Sequence, residues 1–406
     1  MTTLDPSRIR ADFPVLARQV AGRPIAYLDN AASSLAPRRV IDAMVRYHAE
    51  IGGNVHRGKH LLSEQASHEF EDARGQIAQF INAAPDEIVL VRNTTEGLNL
   101  TAELLATQPF DTVLVSAEAH HSLLLPFRLR CAVRYIPSHD DGGFDLARYR
   151  TLLSRWQPRA VLLTHCSNVT GAVYPIGAMA RLAHEAGALV ICDAAQSAPH
   201  LPLDVADLDV DALAFSGHKM LGPSGVGVLF LRRRFPDGGR TLLLGGGTVD
   251  WVDRTGFALR PRPHRFEAGT PNIEGVLGLA AALDYLTGLG MDRVETHGHA
   301  LTAALAREVA ERHYLTAIGG KPGDGCPIVS MRLPAVPDLD VVARALSDSF
   351  GVMARTGFLC AQPFVTAAGN GPVLRLSAYL YNTDDEITRA FEALDQVHAT
   401  LAKTGG

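Results

Sequence analysis

The sequence predicts an α/β fold: a large domain on a mostly parallel, seven-stranded sheet with helices on both faces, joined to a smaller α+β domain. Three observations carry this. Between Glu87 and Leu231 short apolar runs alternate with helical periods, the βαβα order that builds a parallel sheet. After Arg232 the texture changes to connections rich in glycine and proline (Gly238-Gly239, Gly245-Gly246-Gly247, Arg260-Pro261-Arg262-Pro263), followed by long helical periods. At 406 residues the chain also exceeds one ordinary domain. The expected division is 18–285 for the large domain, with 1–17 and 286–406 forming the small one.

Taken in order, a short helical pattern ends at Gly22 and Pro24, and 25–28 is a brief strand running into Asp29. Helical periodicity covers 38–50 and 63–81, on either side of the polar, glycine-bounded loop 52–58. Strands are expected at 88–91, 113–115, 133–136, 161–164, 189–192, 213–215 and 226–231. Unbroken apolar runs of this kind suit strands covered on both faces. Helices fall near 96–106, 146–155 and 177–186. The C-terminal part reads as helices at 273–288 and 293–313, strand 327–333, helix 339–349, strand 374–378 and helix 384–402.

Composition narrows the function classes. With 47% hydrophobic and 20% charged residues and a formal net charge of -5, the chain reads as a soluble enzyme with no basic surface for nucleic acid or anionic membrane. No apolar stretch reaches the length of a membrane span, and the first residues lack a secretory leader pattern, so a cytoplasmic location is expected. Cysteines at 131, 166, 192, 326 and 360 are scattered without a C-x-x-C pair, which speaks against a zinc site or a disulfide framework. His184-Glu185 lacks the H-E-x-x-H spacing, so no metal is expected. Gly222 to Gly227 loosely matches a nucleotide loop, but it leads into a strand instead of a helix.

The chemistry concentrates where strands end. Asp193 closes one apolar run, and Lys219 follows another in Ser216-Gly217-His218-Lys219. Ligands of open α/β sheets sit beyond the carboxyl ends of the strands, so both residues face one crevice. An amine there can close an imine on an aldehyde, and a carboxylate can hold a pyridine nitrogen protonated, which is what pyridoxal phosphate requires. A free lysine near pKa ~10.4 is protonated and not nucleophilic, so the site must depress it by burial or by neighbouring charge. Asn93-Thr94-Thr95-Glu96-Gly97 follows a strand and opens a helix, a place for a phosphate or for simple capping by Thr94 or Thr95. His120 and Asn168 lie just past strands, the latter facing a ring oxygen or a substrate carboxylate or making only a turn. Arg375 opens the last strand and can grip a carboxylate bidentately.

Asp193-Ala194-Ala195-Gln196, Ser216-Gly217-His218-Lys219 leading to Gly222-Pro223, and Arg355-Thr356-Gly357-Phe358-Leu359-Cys360-Ala361-Gln362-Pro363 together resemble the class V aminotransferase group of fold-type I pyridoxal-phosphate enzymes. Within that group the chain is most similar to SufS-type cysteine desulfurases, from Arg10 to Thr383. The resemblance implies pyridoxal 5'-phosphate on Lys219, with Asp193 at the ring nitrogen, Gln196 and Asn168 near the ring oxygen, and His120 stacked on the ring as proton shuttle. It implies Thr94, Thr95, Gly97, Ser216 and His218 at the phosphate. Thr270 would reach the phosphate of a neighbouring subunit, hence a homodimer. His56 and Arg57 would sit at the active-site mouth, with His56, Arg355, Arg375 and Asn168 as substrate-binding candidates.

Cys360 would be the nucleophile that takes sulfur from L-cysteine, leaving a persulfide for an acceptor protein or small thiophile, as in iron–sulfur cluster assembly, and L-alanine as co-product. L-selenocysteine as substrate, and a C–S lyase or another class V reaction, remain open at this point. The chain departs from the pattern in two places. Ala119 stands where a glutamate commonly precedes the histidines, leaving Glu118 as a substitute relay, and Phe358 and Leu359 make the cysteine loop greasier than usual.

Overall fold

All seven expected strands of the large sheet form. In chain order they are β1 (Ile88–Val91), β2 (Thr112–Ser116), β3 (Ala132–Ile136), β4 (Ala160–Thr164), β5 (Leu189–Asp193), β6 (Ala212–Ser216) and β7 (Gly227–Leu231), hydrogen-bonded in the order β1-β7-β6-β5-β4-β2-β3. Strands β2 to β6 pair in parallel, and β7 runs antiparallel between β6 and β1. The computed structural model describes residues 4–106, 110–138, 144–236, 242–319, 325–369 and 371–404; the Gly238-Gly239 loop lies outside them.

Alternation along the strands splits the apolar residues between two layers. Leu114, Val161, Val190, Leu213 and Val228 face one core, shared with helices α1 (Arg38–Arg46) and α2 (Leu61–Phe80) and with Tyr149, Met179 and Leu283. Val113, Val115, Leu162, Ile191 and Leu229 face the other, against α3 (Thr94–Leu105) and α4 (His121–Arg128). The sheet is therefore buried on both sides, as its continuous apolar runs require. Helix α4 was not expected. Pro126 lies inside it and removes one backbone donor, which masks a short helix held by tertiary packing through Leu123, Leu124 and Phe127.

The chain continues through α5 (Leu146–Trp156), α6 (Ile176–Glu185), α7 (Ile273–Leu289) and α8 (Met291–Ala310) into a second, antiparallel sheet. Its strands β8 (Thr316–Ala317), β9 (Ile328–Arg332), β10 (Arg355–Gly357) and β11 (Val373–Ser377) are ordered β8-β9-β11-β10. Helices α9 (Leu339–Phe350) and α11 (Asp384–Thr404) share its core through Val342, Leu346 and Phe391, with the short helix α10 (Gln362–Ala367) at its edge. Ala26 and Leu28 join this core, and Ala26–Tyr27 pairs in parallel with Val352–Met353. The first residues touch both units: Arg10 pairs with Glu386 at 2.8 Å, and the Phe13 ring lies 4.7 Å from Tyr381 and 6.1 Å from Tyr285 of α7. Within the expected loop region, Val249–Val252 and Phe257–Leu259 form a hairpin. No single helix among the described residues is long and apolar enough to cross a membrane.

One buried charge knits the large layer. Arg74 on α2 is 2% exposed. It donates to Ile88 O (2.9 Å), to Glu71 Oε2 (2.8 Å) and to both carboxylate oxygens of Glu267 (2.6 and 3.0 Å), while Glu267 also accepts from Leu90 N (2.7 Å). Removing one partner of such a set leaves an uncompensated carboxylate, at a cost of about 3–5 kcal/mol. Arg74→Met is expected to lower the unfolding free energy by about that amount in urea titrations; an unchanged midpoint and slope would refute the assignment.

Candidate active site

The carboxyl ends of β1, β2, β4, β5 and β6 open onto one cavity of about 560 Å³, closed on its far side by the β10–α10 loop. Lys219 reaches it from the turn after β6. The turn is braced at the His218 carbonyl, which accepts from Ser34 N (2.8 Å), Ser33 Oγ (3.1 Å) and Ser34 Oγ (3.2 Å). Burial pushes the Lys219 amine down to about 8 against the opposing pull of Asp193, with Arg375 adding to the fall. Burial likewise raises Asp193 above the usual carboxylate range, moderated by Ala195 N–H (3.0 Å to Oδ1) and by Lys219. Gln196 lines the same wall and donates to Ala31 O at 2.7 Å.

At the end of β1, Asn93 makes the helix cap, accepting from Glu96 N at 3.0 Å, so neither Thr94 nor Thr95 is needed as one. Thr94 instead donates from its backbone N–H to Ser216 Oγ (2.8 Å), with Thr94 Oγ1 2.7 Å from the same oxygen, and Thr95 Oγ1 lies 2.7 Å from Ser122 Oγ. Thr94, Thr95, Ser216 and His218 all line the cavity. Gly97 does not, which corrects its expected phosphate role. It is buried within α3, where a Cβ would lie 3.3 Å from Leu229 Cβ and 3.4 Å from Ala214 Cβ, so a glycine lets the helix sit close on the sheet.

His120 lines the cavity as expected. Its Nδ1 accepts from Ser122 N (3.1 Å), capping α4 and leaving Nε2 as the proton-bearing nitrogen. Burial first, then the charge of Lys219, push it down to about 3, so the ring is neutral. Glu118 does not take over the missing relay. Its carboxylate is fully buried and accepts from Tyr174 OH (2.7 Å) and Thr170 Oγ1 (2.8 Å), bracing the turn that carries Asn168.

The C-terminal sheet supplies the other wall. Arg355 and Arg375 are directly opposed on β10 and β11. Asp29 lies between them, accepting two hydrogen bonds from Arg355 Nε (3.0 and 3.1 Å), one from Arg355 Nη2 (2.8 Å) and one from Arg375 Nη2 (3.2 Å). Asp29 was missed at the sequence level, because nothing local marks a partner more than three hundred residues away. Arg375 Nη1 also donates to Asn168 O (3.0 Å), and Asn168 Nδ2 donates to Leu359 O (2.8 Å), so the Asn168 amide serves the cysteine loop. Cys360 is exposed and lines the cavity, and Leu359, which borders the same cavity, is mostly buried with Val169, Ile318 and Val373.

Three residues expected at the site, His56, Arg57 and Thr270, are not brought here by the protomer. His56 bonds Glu71 (2.8 Å), packs edge-on against Phe70 and His264, and borders a separate hollow with Arg57, Trp251 and Arg260. Thr270 is exposed and outside the cavity.

The residues present fit an anionic aromatic aldehyde. Two buried atoms of the wall, Thr164 Oγ1 and Arg375 Nε, have no hydrogen-bond partner among the described residues, and buried polar groups in native proteins are paired. A desolvated amine, a buried carboxylate and hydroxyls at a helix start complete the set.

Residues 26–390 match the family model described as "Aminotransferase class-V". A probable cysteine desulfurase of Streptomyces coelicolor is 39% identical over 97% of each chain. The apo structure of a cysteine desulfurase from Thermococcus onnurineus superposes with a TM-score of 0.91 at 34% identity, covering 98% of this chain and 99% of that one. The cysteine desulfurase CsdA of Escherichia coli does so with a TM-score of 0.87 at 31% identity, covering 98% and 100%.

Lysine occurs only at positions 59, 219, 321 and 403, so peptide mapping resolves Lys219. In the cofactor-free protein its relative rate of acylation by an amine-reactive reagent is expected to rise through an apparent pKa of about 8, because only the neutral amine attacks. A midpoint near the ~10.4 of a free lysine would show that the amine is not desolvated.

Proposed function

The chain belongs to the aminotransferase class-V family, and from that premise we infer that it is a pyridoxal 5'-phosphate-dependent cysteine desulfurase. It takes sulfur from L-cysteine, carries it as a persulfide on Cys360 and releases L-alanine. The observation that carries the reading is the meeting of Lys219, Asp193, the arginine pair and Cys360 on the walls of one cavity. The names of the relatives support cysteine over selenocysteine as substrate.

Lys219 would hold the cofactor's aldehyde end, Asp193 the proton on its ring nitrogen, and Thr94, Thr95, Ser216 and His218 its phosphate. When bound, pyridoxal phosphate supplies an electron sink that weakens the bonds around the substrate's Cα and exposes its sulfur to attack. The other work belongs to the chain. Arg375 and Arg355, steadied by Asp29, grip the α-carboxylate. Lys219 Nζ, near neutrality at about 8, takes up and returns a proton at working pH. His120, neutral and protonated on Nε2, offers a hydrogen bond without adding a competing cation. Cys360 Sγ bonds the substrate's sulfur as the carbon–sulfur bond breaks, and the carbon left behind takes a proton.

Several finer parts of the reading have support of their own kind. Exposure of Cys360 supports hand-off of sulfur to an acceptor protein or small thiophile, with iron–sulfur cluster assembly as the proposed consumer. All five cysteines are free thiols, which supports a reducing, cytoplasmic setting. The distance of His56 and Thr270 from the cavity supports a homodimer in which they serve the neighbouring site. Exposed Leu243, Leu244, Trp251, Val252 and Phe257 offer apolar surface for that contact.

Holoenzyme treated with L-cysteine is expected to gain one sulfur atom at Cys360 by intact-mass analysis, and Cys360→Ser to gain none while keeping the cofactor. Borohydride should fix the cofactor at Lys219. His120→Ala is expected to lose about 10²–10⁴-fold in turnover. A parent enzyme that makes alanine without sulfur ever residing on Cys360 would sink the persulfide reading.

A further inference from the structure

The loop that presents the nucleophile is held by the same helix that carries His120. Leu359 and Cys360 both occupy the left-handed region, at φ of +52° and +53°, which side-chain-bearing residues seldom adopt. Two such residues in succession persist only where their surroundings over-determine them. Four hydrogen bonds hold the pair: Ala361 N–H donates to Phe358 O at 2.9 Å and closes the turn around it, and three more come from outside the turn or flank it. Asn168 Nδ2 donates to Leu359 O at 2.8 Å, His121 N–H donates to Cys360 O at 2.7 Å, and Gln362 N–H donates to His121 Nε2 at 3.2 Å. Beyond the turn's own bond, two of the remaining three involve His121.

Position explains why. His121 is the first residue of α4, so its N–H is one of the donors that a helix start leaves without an intrahelical partner. The carbonyl of Cys360 satisfies it. Because Nε2 accepts from Gln362, the ring proton of His121 sits on Nδ1 and the imidazole is neutral; burial, which holds this group below its ordinary value, acts in the same direction.

We propose that His121 is the positioning residue for the nucleophile, its N–H and its ring bracketing Cys360 and holding the thiol-bearing loop at the cavity mouth. The proposal rests on the desulfurase reading. His121 lines the cavity but takes no part in the Arg355–Asp29–Arg375 set, so its loss is expected to slow sulfur pick-up and to leave the grip on the α-carboxylate intact. The function of the second histidine is thus separate from that of His120, although one helix start orders both.

The test compares holoenzymes of the parent, His121→Ala, His121→Phe and His121→Gln. Single-turnover sulfur gain at Cys360 is followed by intact mass, and steady-state alanine release by kcat and KM. His121→Ala and the ring-preserving His121→Phe should form the persulfide about five- to tenfold more slowly, the effect of one lost neutral hydrogen bond, with KM for L-cysteine unchanged. His121→Gln, whose Oε1 restores the acceptor, should recover the parent rate. Persulfide formation at the parent rate in both acceptor-less variants overturns the proposal, as does a His121→Gln enzyme no faster than His121→Phe. A parent that never gains sulfur at Cys360 overturns the desulfurase reading and this proposal with it, so the two failures are told apart by the parent alone.

Discussion

The site depends on keeping one amine dry while surrounding it with charge. Lys219 is half-buried on the cavity wall, and its desolvation there drives its pKa down because a low-dielectric pocket disfavours the ammonium form. The same pressure acts on its neighbours: it raises Asp193 and lowers Arg375. Around one cavity stand three cationic side chains, Lys219, Arg355 and Arg375, against two carboxylates, Asp193 and Asp29. The surplus is positive. Buried charge without a counter-charge is costly, so the cavity favours ligands that bring anionic groups. A phosphate at the helix start and an α-carboxylate at the arginine pair, the placements proposed above, would satisfy that bias from opposite sides.

The arrangement exists because strand direction and backbone proximity leave little choice. Parallel strands deliver their carboxyl ends to one edge, so residues remote in sequence arrive together without any local motif joining them. The antiparallel β7 begins at that edge with Gly227, where a Cβ would lie 2.7 Å from Asn93 Cα and 2.9 Å from Phe215 O. That close approach lets the turn after β1 lie against the end of β6 and bond Thr94 to Ser216. The second sheet then contributes two arginines on directly opposed positions. Like charges across strands repel, and Asp29, delivered from the N-terminal strand, resolves the conflict. The site is complete only when the two sheets are docked.

What the sequence disclosed follows from how local each signal is. The strands of the large sheet and the long helices are written in apolar periodicity, and Asp193, Lys219, His120 and Cys360 sit in motifs with fixed neighbours; all were legible. Helix α4 was hidden by Pro126, and the 249–259 hairpin by the shortness of its strands, whose apolar residues are largely exposed and show no buried alternation. Gly97 belonged to a motif read as a phosphate loop, yet its reason is the distance to Leu229, a constraint visible only in three dimensions. Asp29 and Glu118 carry no local mark at all. Each is defined by partners brought from elsewhere in the chain, Arg355 and Arg375 for one, Thr170 and Tyr174 for the other.

The greasy character of the cysteine loop takes on a different meaning once its packing is known. A polar side chain at Leu359 would be buried among Val169, Ile318, Val365 and Val373, where an unpartnered polar group costs of the order of 1–3 kcal/mol. The leucine instead adds apolar burial to a residue whose backbone is in a strained conformation, offsetting that strain from inside the protein. Its hydrophobicity therefore faces Val169 on the turn after β4 and the C-terminal sheet, not an incoming sulfur acceptor. Of the two departures only Phe358, half-buried at the edge of that cluster, retains surface next to Cys360. At this loop Phe358 and the Cys360 thiol are the side chains that keep surface, while Leu359 anchors the backbone through the cluster beneath it.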